Sequence, residues 1–369
     1  MTINTMKYID EFRNPELAKK LIAKIGGMVS GYKKDIILME VCGTHTVAIS
    51  RAGLRKLFPP NLKLLSGPGC PVCVTPNDYL DRAIAYSQRN DVIVTTFGDM
   101  MKVPGSTSSL EKEKSRGGDV RVVYSPIDVL KIAKDNPKKK IIFLGVGFET
   151  TSPTIAATIK TAEVGNIKNF FVYSGHKVIP PAMEALLADE EVKVNGFICP
   201  GHVSTIIGSV PYEFIPKNNN IPCVIVGFEP LDVVEGIYML VKQVVDGEKP
   251  SVQIQYTRSV KREGNPKAVA LIEEVFEIED SNWRGLGMIP GSGLKIRKEF
   301  SPFDAEKNVK VEVESTKENK QCICGEVLRG VKTPLKCKLF KKVCTPENPI
   351  GACMVSSEGT CDAYYKYGE

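Results

Sequence analysis

A chain of 369 residues, 43% of them apolar, is too long for one ordinary domain and can bury two or three cores. Its net charge of +6 comes from basic residues interleaved with 43 acids; the basic runs "PKKK" (Pro137 to Lys140) and "KLFKK" (Lys338 to Lys342) are short and isolated, which reads as solvated faces and argues against nucleic-acid binding. No apolar run approaches the roughly 20 residues of a membrane span, and the N-terminal stretch has scattered charges without an apolar core, so neither signal peptide nor anchor is expected and the protein is assigned to the cytoplasm.

From about Asp35 to Gly247, short apolar runs alternate with helical patterns. Strands are predicted at Ile36 to Cys42, Leu62 to Gly67, Asp91 to Gly98, Ile141 to Gly147, Asn169 to Gly175, Val194 to Gly201 and Pro222 to Glu229. Between them lie amphipathic stretches such as "PNDYLDRAIAYSQR" and "PPAMEALLADEE". Continuous apolar strands separated by helices imply parallel sheets covered on both faces. "GFE" follows a strand at Gly147 and again at Gly227, and "SGH" and "PGH" do so at Ser174 and Pro200. These echoes suggest two similar α/β subdomains, residues 31–137 and 138–250, dividing near Asp135 to Lys140.

Beyond Pro250 the pattern changes. "SVQIQYTRSV" reads as a strand, "NPKAVALIEEVFEIE" as a helix and "GLGMIPGSGL" as a glycine-rich loop, followed by a charged segment and a cysteine-rich tail. Residues 251–369 are expected to form a loop-rich module that needs a metal for stability, with residues 1–30 packed either on it or on the first sheet. The expected class is α/β: two similar parallel-sheet subdomains plus this C-terminal module.

Eleven cysteines in a chain assigned to a reducing compartment point to metal ligation or redox chemistry rather than structural disulfides. The tail holds Cys322, Cys324, Cys337, Cys344, Cys353 and Cys361. It lacks the two close pairs that pinch a structural zinc ion. Choosing Cys322, Cys337, Cys344 and Cys361 gives C-x14-C-x6-C-x16-C, a spacing that wraps a bulkier group and suits a [4Fe-4S] cluster, with zinc as the alternative. Cys324 and Cys353 are expected to be free and inert.

"EVCGTHTVAIS" places Cys42 where a strand gives way to a helix, at the carboxyl edge of a parallel sheet, where ligands gather. A thiol at a helix amino end is expected to have a lowered pKa, and His45 three residues on is a candidate base, donor or ligand. "GPGCPVC" puts Cys70 and Cys73 in the equivalent position after the next strand. The C-x2-C spacing suits a reversible disulfide on an accessible turn, although zinc knuckles share it. Three thiols are thereby expected to converge on one sheet edge. His176 and His202 also sit in strand-to-helix turns, as do Asp99 and Glu149, whose ordinary reading is helix capping. "GVGFET" has two of the three glycines of a dinucleotide fingerprint and is discounted.

The set "CGTHT" (Cys42 to Thr46), "GPGCPVC" (Gly67 to Cys73), "TFGDMMKVPG" (Thr96 to Gly105), "GFETTSP" (Gly147 to Pro153), "PGHVSTIIG" (Pro200 to Gly208), "IPGSGL" (Ile289 to Leu294) and "MVSSEGTC" (Met354 to Cys361) resembles, in order and end to end, the HypD family of hydrogenase maturation factors. The resemblance implies a scaffold on which the Fe(CN)2CO unit of [NiFe]-hydrogenase is assembled with the small chaperone HypC and the cyanide-delivering HypE, the chain being a monomer outside that complex. It implies Cys42 as an iron ligand with His45 beside it, Cys70 and Cys73 as a redox dithiol, and Cys322, Cys337, Cys344 and Cys361 as holders of the [4Fe-4S] cluster. Asp99 and Glu358 are further candidates. The resemblance extends to ferredoxin:thioredoxin reductase, in which a cluster reduces a nearby disulfide. The rival function is a general iron–sulfur disulfide reductase acting on other proteins.

Overall fold

Asn14 accepts the backbone N–H groups of Glu16 and Leu17, and Pro15 occupies the first turn, so helix α1 (Pro15–Ser30) begins there. In this computed structural model, which describes residues 10–368, α1 buries Ile25 and Val29 against the helix Pro230–Val245 and the first sheet. Of the two packing options for residues 1–30, the described part takes the sheet; residues 1–9 lie outside the described residues.

The apolar runs form β1 (Ile36–Glu40), β2 (Leu62–Ser66), β3 (Val92–Thr96), β4 (Val120–Val122), β5 (Lys140–Gly145), β6 (Phe170–Ser174), β7 (Gly196–Pro200), β8 (Cys223–Val226) and β9 (Val252–Ile254). They build two parallel sheets, ordered β2-β1-β7-β8-β9 and β4-β3-β5-β6. Every residue of β3, β7 and β8 is buried, which is why these strands read as unbroken apolar runs. A crossover connection must carry each parallel strand back to its starting end, so all carboxyl ends within a sheet emerge on one edge.

The sheets do not follow the division expected near Asp135 to Lys140. β5 lies beyond that point yet pairs with β3, Val92 to Thr95 opposite Lys140 to Phe143. β7 pairs with β1 instead, Leu38 to Glu40 opposite Gly196 to Ile198. The second sheet is thus an insertion between two parts of the first. In each sheet the chain leaves the central pair of strands in opposite directions, β1 toward β2 and β7 toward β8, β3 toward β4 and β5 toward β6. A crevice opens at such a switch point, beyond the carboxyl ends.

The stretch expected as a helix from Asn265 to Glu279 is a helix only over Pro266–Val275; at Phe276 it passes directly into β10 (Phe276–Trp283). The expected glycine-rich loop is β11 (Gly287–Ile296), antiparallel to β10. Its glycines serve close approach: a Cβ on Gly293 would sit 2.7 Å from Ser281 Cβ. The tail beyond is loops and short helices, and its final helix, Thr360–Tyr367, packs on α2 (Gly43–Arg51). Among the described residues no helix is long and apolar enough to cross a membrane.

Candidate functional site

Cys42 is the N-cap of α2, just past the end of β1 and beside the switch point with β7. It is 7% exposed. The glycine–proline loop after β2 presses on it: Gly43 N–H donates to Gly69 O at 2.9 Å, and any side chain at Gly69 would collide with the Cys42 backbone. Cys70 and Cys73 follow that loop immediately, on the one-turn helix α3 (Pro71–Val74), where they form a disulfide with 5.3 Å between their Cα atoms. The early thiols do converge. Both disulfide sulfurs are buried, at 3% and 0%, so the pair is not on the accessible turn that the glycines suggested; Gly67 N–H is bonded to Glu40 O and the loop lies flat on the sheet edge.

From the other side the tail covers Cys42. Thr44 Oγ1 donates to Glu358 Oε1 at 2.5 Å, Glu358 N–H donates to Ser356 Oγ at 3.2 Å, and Ser356 Oγ donates to Asp99 Oδ2 at 3.2 Å. This chain of bonds joins Asp99, from the turn after β3, and Glu358 to the Cys42 turn. Ser356, which links the two candidates, lies within "MVSSEGTC" but was not itself a candidate from sequence. The expected lowering of the Cys42 pKa is reversed. Burial and then the neighbouring Glu358 carboxylate push the thiol up to about 12, outweighing the N–H groups of His45 and Thr44. Glu358 is itself raised, chiefly by burial.

His45 is fully buried. Its Nε2 lies 3.1 Å from Val226 O and 3.0 Å from Gly227 O. Two carbonyl acceptors fix the proton on Nε2 and leave Nδ1 as a lone-pair acceptor, buried and without a partner. Burial holds the ring down to about 4, so it is neutral. His45 and the exposed His202 both stack on Phe228, at 4.8 and 4.0 Å between centroids. The sequence marks Phe228, at the carboxyl end of β8, only as part of the second "GFE" echo.

Glu149 and His176 belong to the second sheet. Glu149 Oε1 accepts Ile179 N–H at 2.9 Å, capping the helix Ile179–Ala188, and burial raises its pKa to about 7. His176 bonds Ser174 Oγ through Nδ1 and packs edge-on to Phe276; burial lowers it to about 3. Neither belongs to the hydrogen-bonded set around Cys42.

In the tail, Cys322, Cys324, Cys337, Cys344, Cys353 and Cys361 all line one small pocket walled by Val327, Leu339, Phe340 and Met354. Cys324 and Cys353, set aside by spacing, are part of it, with their sulfurs 2.8 Å apart. Among the described residues no three His, Cys, Asp or Glu side chains close on a point as one bound ion requires; the thiols ring a cavity instead. Thiolates in an apolar chamber, with Ile350 N–H donating to Cys344 Sγ at 3.3 Å, are a donor set suited to an iron–sulfur group.

The pocket adjoins the disulfide. Cys73 Sγ lies 4.0 Å from the carbonyl oxygen of Ala352, the residue before Cys353, and α3 packs on the turn Ala352–Met354. Arg284, at the β10–β11 turn, donates N–H to Val74 O at 2.8 Å and Nε–H to Thr75 O at 3.0 Å. Its neighbour Gly285, at φ +79°, packs on the Gly325 backbone so closely that a Cβ would collide. That turn pins the residues after Cys73 against those after Cys324. Sequence gave no sign of it.

The chain matches the HypD family, described as "Hydrogenase formation hypA family", over residues 16–368. It is 48% identical over 370 residues to "Hydrogenase maturation factor HypD" of Azotobacter vinelandii, covering 98% of this chain and 97% of the relative. The same figures hold for "Hydrogenase expression/formation protein HupD" of Azotobacter chroococcum. Identity to "Hydrogenase maturation factor HypD" of Escherichia coli is 42% over 367 residues, 98% of each chain. Matched along almost its whole length by that family and by these relatives, the chain belongs to the HypD family of hydrogenase maturation factors.

Proposed function

We propose that the protein is the scaffold on which an iron ion acquires its cyanide and carbonyl ligands, held by Cys42, with electrons drawn from a [4Fe-4S] cluster through the Cys70–Cys73 pair. Cys322, Cys337, Cys344 and Cys361 hold the cluster, and HypC- and HypE-type proteins are the partners, in the cytoplasm. The observation that carries this is the succession of cysteines along one line of packing: Cys42 under the loop that bears Cys70, Cys73 against the Ala352 carbonyl, Cys353 next in the chain, and Cys324 with its sulfur 2.8 Å from that of Cys353 on the wall of the six-thiol pocket.

Each residue has work to do. Cys42, protonated when free, must shed its proton as it binds soft, low-spin iron, for which thiolate is the favoured ligand. Glu358, hydrogen-bonded to Thr44 at this turn, is the acceptor at hand. The Cys70–Cys73 disulfide opens to two thiols on taking up two electrons and two protons. A cluster bound in the tail would store and pass single electrons. Cys324 and Cys353 lie between, and as a dithiol that gives two electrons and two protons to the Cys70–Cys73 disulfide, closing to a disulfide that two electrons from the cluster and two protons open again, they would be a stepping point rather than inert thiols. His45, its Nε2–H occupied, keeps the α2 turn registered on β8.

Burial of both disulfide sulfurs counts against the rival reading, because a foreign protein disulfide has no path to them. The test is infrared spectroscopy of the anaerobically purified complex with the small partner. Cyanide and carbonyl stretches are expected, lost in Cys42→Ala while the brown chromophore stays. Stretches that persist in Cys42→Ala would remove Cys42 from iron binding.

A further inference from the structure

The segment that carries Cys337 and Cys344 faces two ways. Inward, Cys337, Leu339, Phe340 and Cys344 line the thiol pocket. Outward, Lys336, Lys338, Lys341 and Lys342 are all exposed, and among the described residues none of the four is in an ion pair with a carboxylate. Leu335 and Val343 flank the run, 56% and 53% exposed. No acid occurs from Val331 to Pro346. Lys341 holds a left-handed backbone, φ +58°, that a side chain rarely adopts, and its ammonium lies 5.4 and 5.8 Å from the Phe340 and Tyr365 ring centres. The loop is therefore shaped against the final helix rather than left loose.

We propose that this lysine loop is the docking surface for a small acidic one-electron carrier protein, which passes electrons across the loop to the group behind it. The proposal rests on the cluster reading above. Exposed apolar side chains at both ends of a run of unpaired cations offer a partner protein the two kinds of contact an interface uses, apolar burial and charge pairing. A single-sign patch selects a partner of opposite sign and speeds its encounter by about 10- to 1000-fold, an effect that fades with salt. Phe340, the segment's aromatic residue, is buried against the thiols and offers no platform for stacked bases. The position matters equally: two proposed cluster ligands sit in the same loop as the lysines, so a carrier seated there is separated from the pocket by one layer of chain. Each docking oxidises the carrier by one electron and reduces the group in the pocket by one. Two dockings, with two protons from solvent, supply what the Cys70–Cys73 disulfide needs to become two thiols; no bond forms between the proteins.

The test compares the full-length chain with a variant carrying Lys336→Gln, Lys338→Gln and Lys342→Gln, and with the matching Lys→Arg variant; Lys341 is left because its backbone shapes the loop. Binding of a plant-type ferredoxin is measured by calorimetry at low and high salt, and bleaching of the chromophore by reduced ferredoxin and by photoreduced deazaflavin, a small neutral reductant, is timed anaerobically. The Gln variant is expected to lose at least about tenfold in ferredoxin affinity and bleaching rate, the Arg variant to match the wild type, and deazaflavin to reduce all three alike. Equal ferredoxin binding by the Gln variant and wild type overturns the proposal. So does tighter capture of phosphatidylserine vesicles or single-stranded DNA than of ferredoxin. A colourless wild-type protein that still binds ferredoxin through these lysines supports the docking surface and fails the cluster reading instead.

Discussion

Thr44 donates its hydroxyl to Glu358 Oε1 at 2.5 Å, across 314 positions of sequence. The bond lays the C-terminal turn over the start of α2, and Gly43 permits it: a Cβ there would sit 2.5 Å from Glu358 Cβ and 2.7 Å from Glu358 O. Cys42 is thus roofed by the far end of the chain.

Removing the roof exposes the thiol. Glu358→Ala should raise the rate of Cys42 alkylation by iodoacetamide at neutral pH by about tenfold, since burial and the Glu358 charge both oppose its thiolate and each unit of pKa is a factor of ten in thiolate. Glu358→Gln, which keeps an acceptor for Thr44 and drops the charge, should fall between. An unchanged rate in a folded Glu358→Ala protein would mean that the contact shelters nothing.

Gly69 has no room for a methyl group. Its Cβ would land on the Cys42 backbone, which cannot rotate away, so Gly69→Ala should cost about 3 kcal/mol and displace the disulfide loop from Cys42. Thermal unfolding reads the first effect and iron retention the second. A stable variant that still carries iron would show that the loop does not register Cys42.

Three cysteine variants separate the sulfur centres. Cys42→Ala should lose non-cluster iron and keep the chromophore. Cys337→Ala should bleach the protein and destabilise the tail. Cys324→Ala should keep both colour and iron but slow reduction of Cys70–Cys73, followed by thiol labelling, because its sulfur is the one that meets Cys353 at 2.8 Å. If Cys324→Ala reduces that disulfide at the wild-type rate, the stepping-point role falls.

Acid should weaken the fold. His45 and His176 are held down by burial to about 4 and about 3, from 6.5. Between pH 6.5 and about 4 the unfolded chain binds their protons and the folded one does not, so their contribution is complete above 6.5 and lost as pH falls. Glu149 is raised by burial from 4.5 to about 7; its contribution is present at low pH and lost as pH rises through 7. From pH 6.5 to 4.5, two groups oppose one, and these three together remove about 1.4 kcal/mol per pH unit on acidification. Glu149→Gln deletes the opposing group and should roughly double the fall. Equal slopes of stability against pH for the two proteins would mean that Glu149 is already ionised in the fold.

The central strands were legible because they are buried on both faces: "DVIVTTFG" contains β3 with no polar face to interrupt it. β4, three residues long, is too short to register, and β11 was hidden because its glycines leave no alternating side chains. Strand partnership was not legible. A parallel strand carries no label for its neighbour, so nothing in "IILMEVC" shows that β1 pairs with a strand from beyond residue 190. Cys42, Cys70 and Cys73 could be brought together because parallel strands deliver their carboxyl ends to one edge. Cys324 and Cys353 could not, because a four-ligand spacing rule leaves the remaining thiols unassigned, and Ser356, Phe228 and Arg284 act through contacts that only folding creates.

The pairing of β1 with β7 bears on how the protein is made. Ile37 N–H donates to Asn195 Oδ1 across 158 residues, and Glu358 arrives still later. A ribosome emitting this polypeptide releases Cys42 long before its neighbouring strand exists, and nearly the entire message must be translated before the thiol is sheltered. Pairings this distant in sequence form slowly. Shelter for this thiol is therefore tied to completion: a truncated product has the cysteine but not the chamber, and under the function proposed above it would have no closed site in which to hold iron.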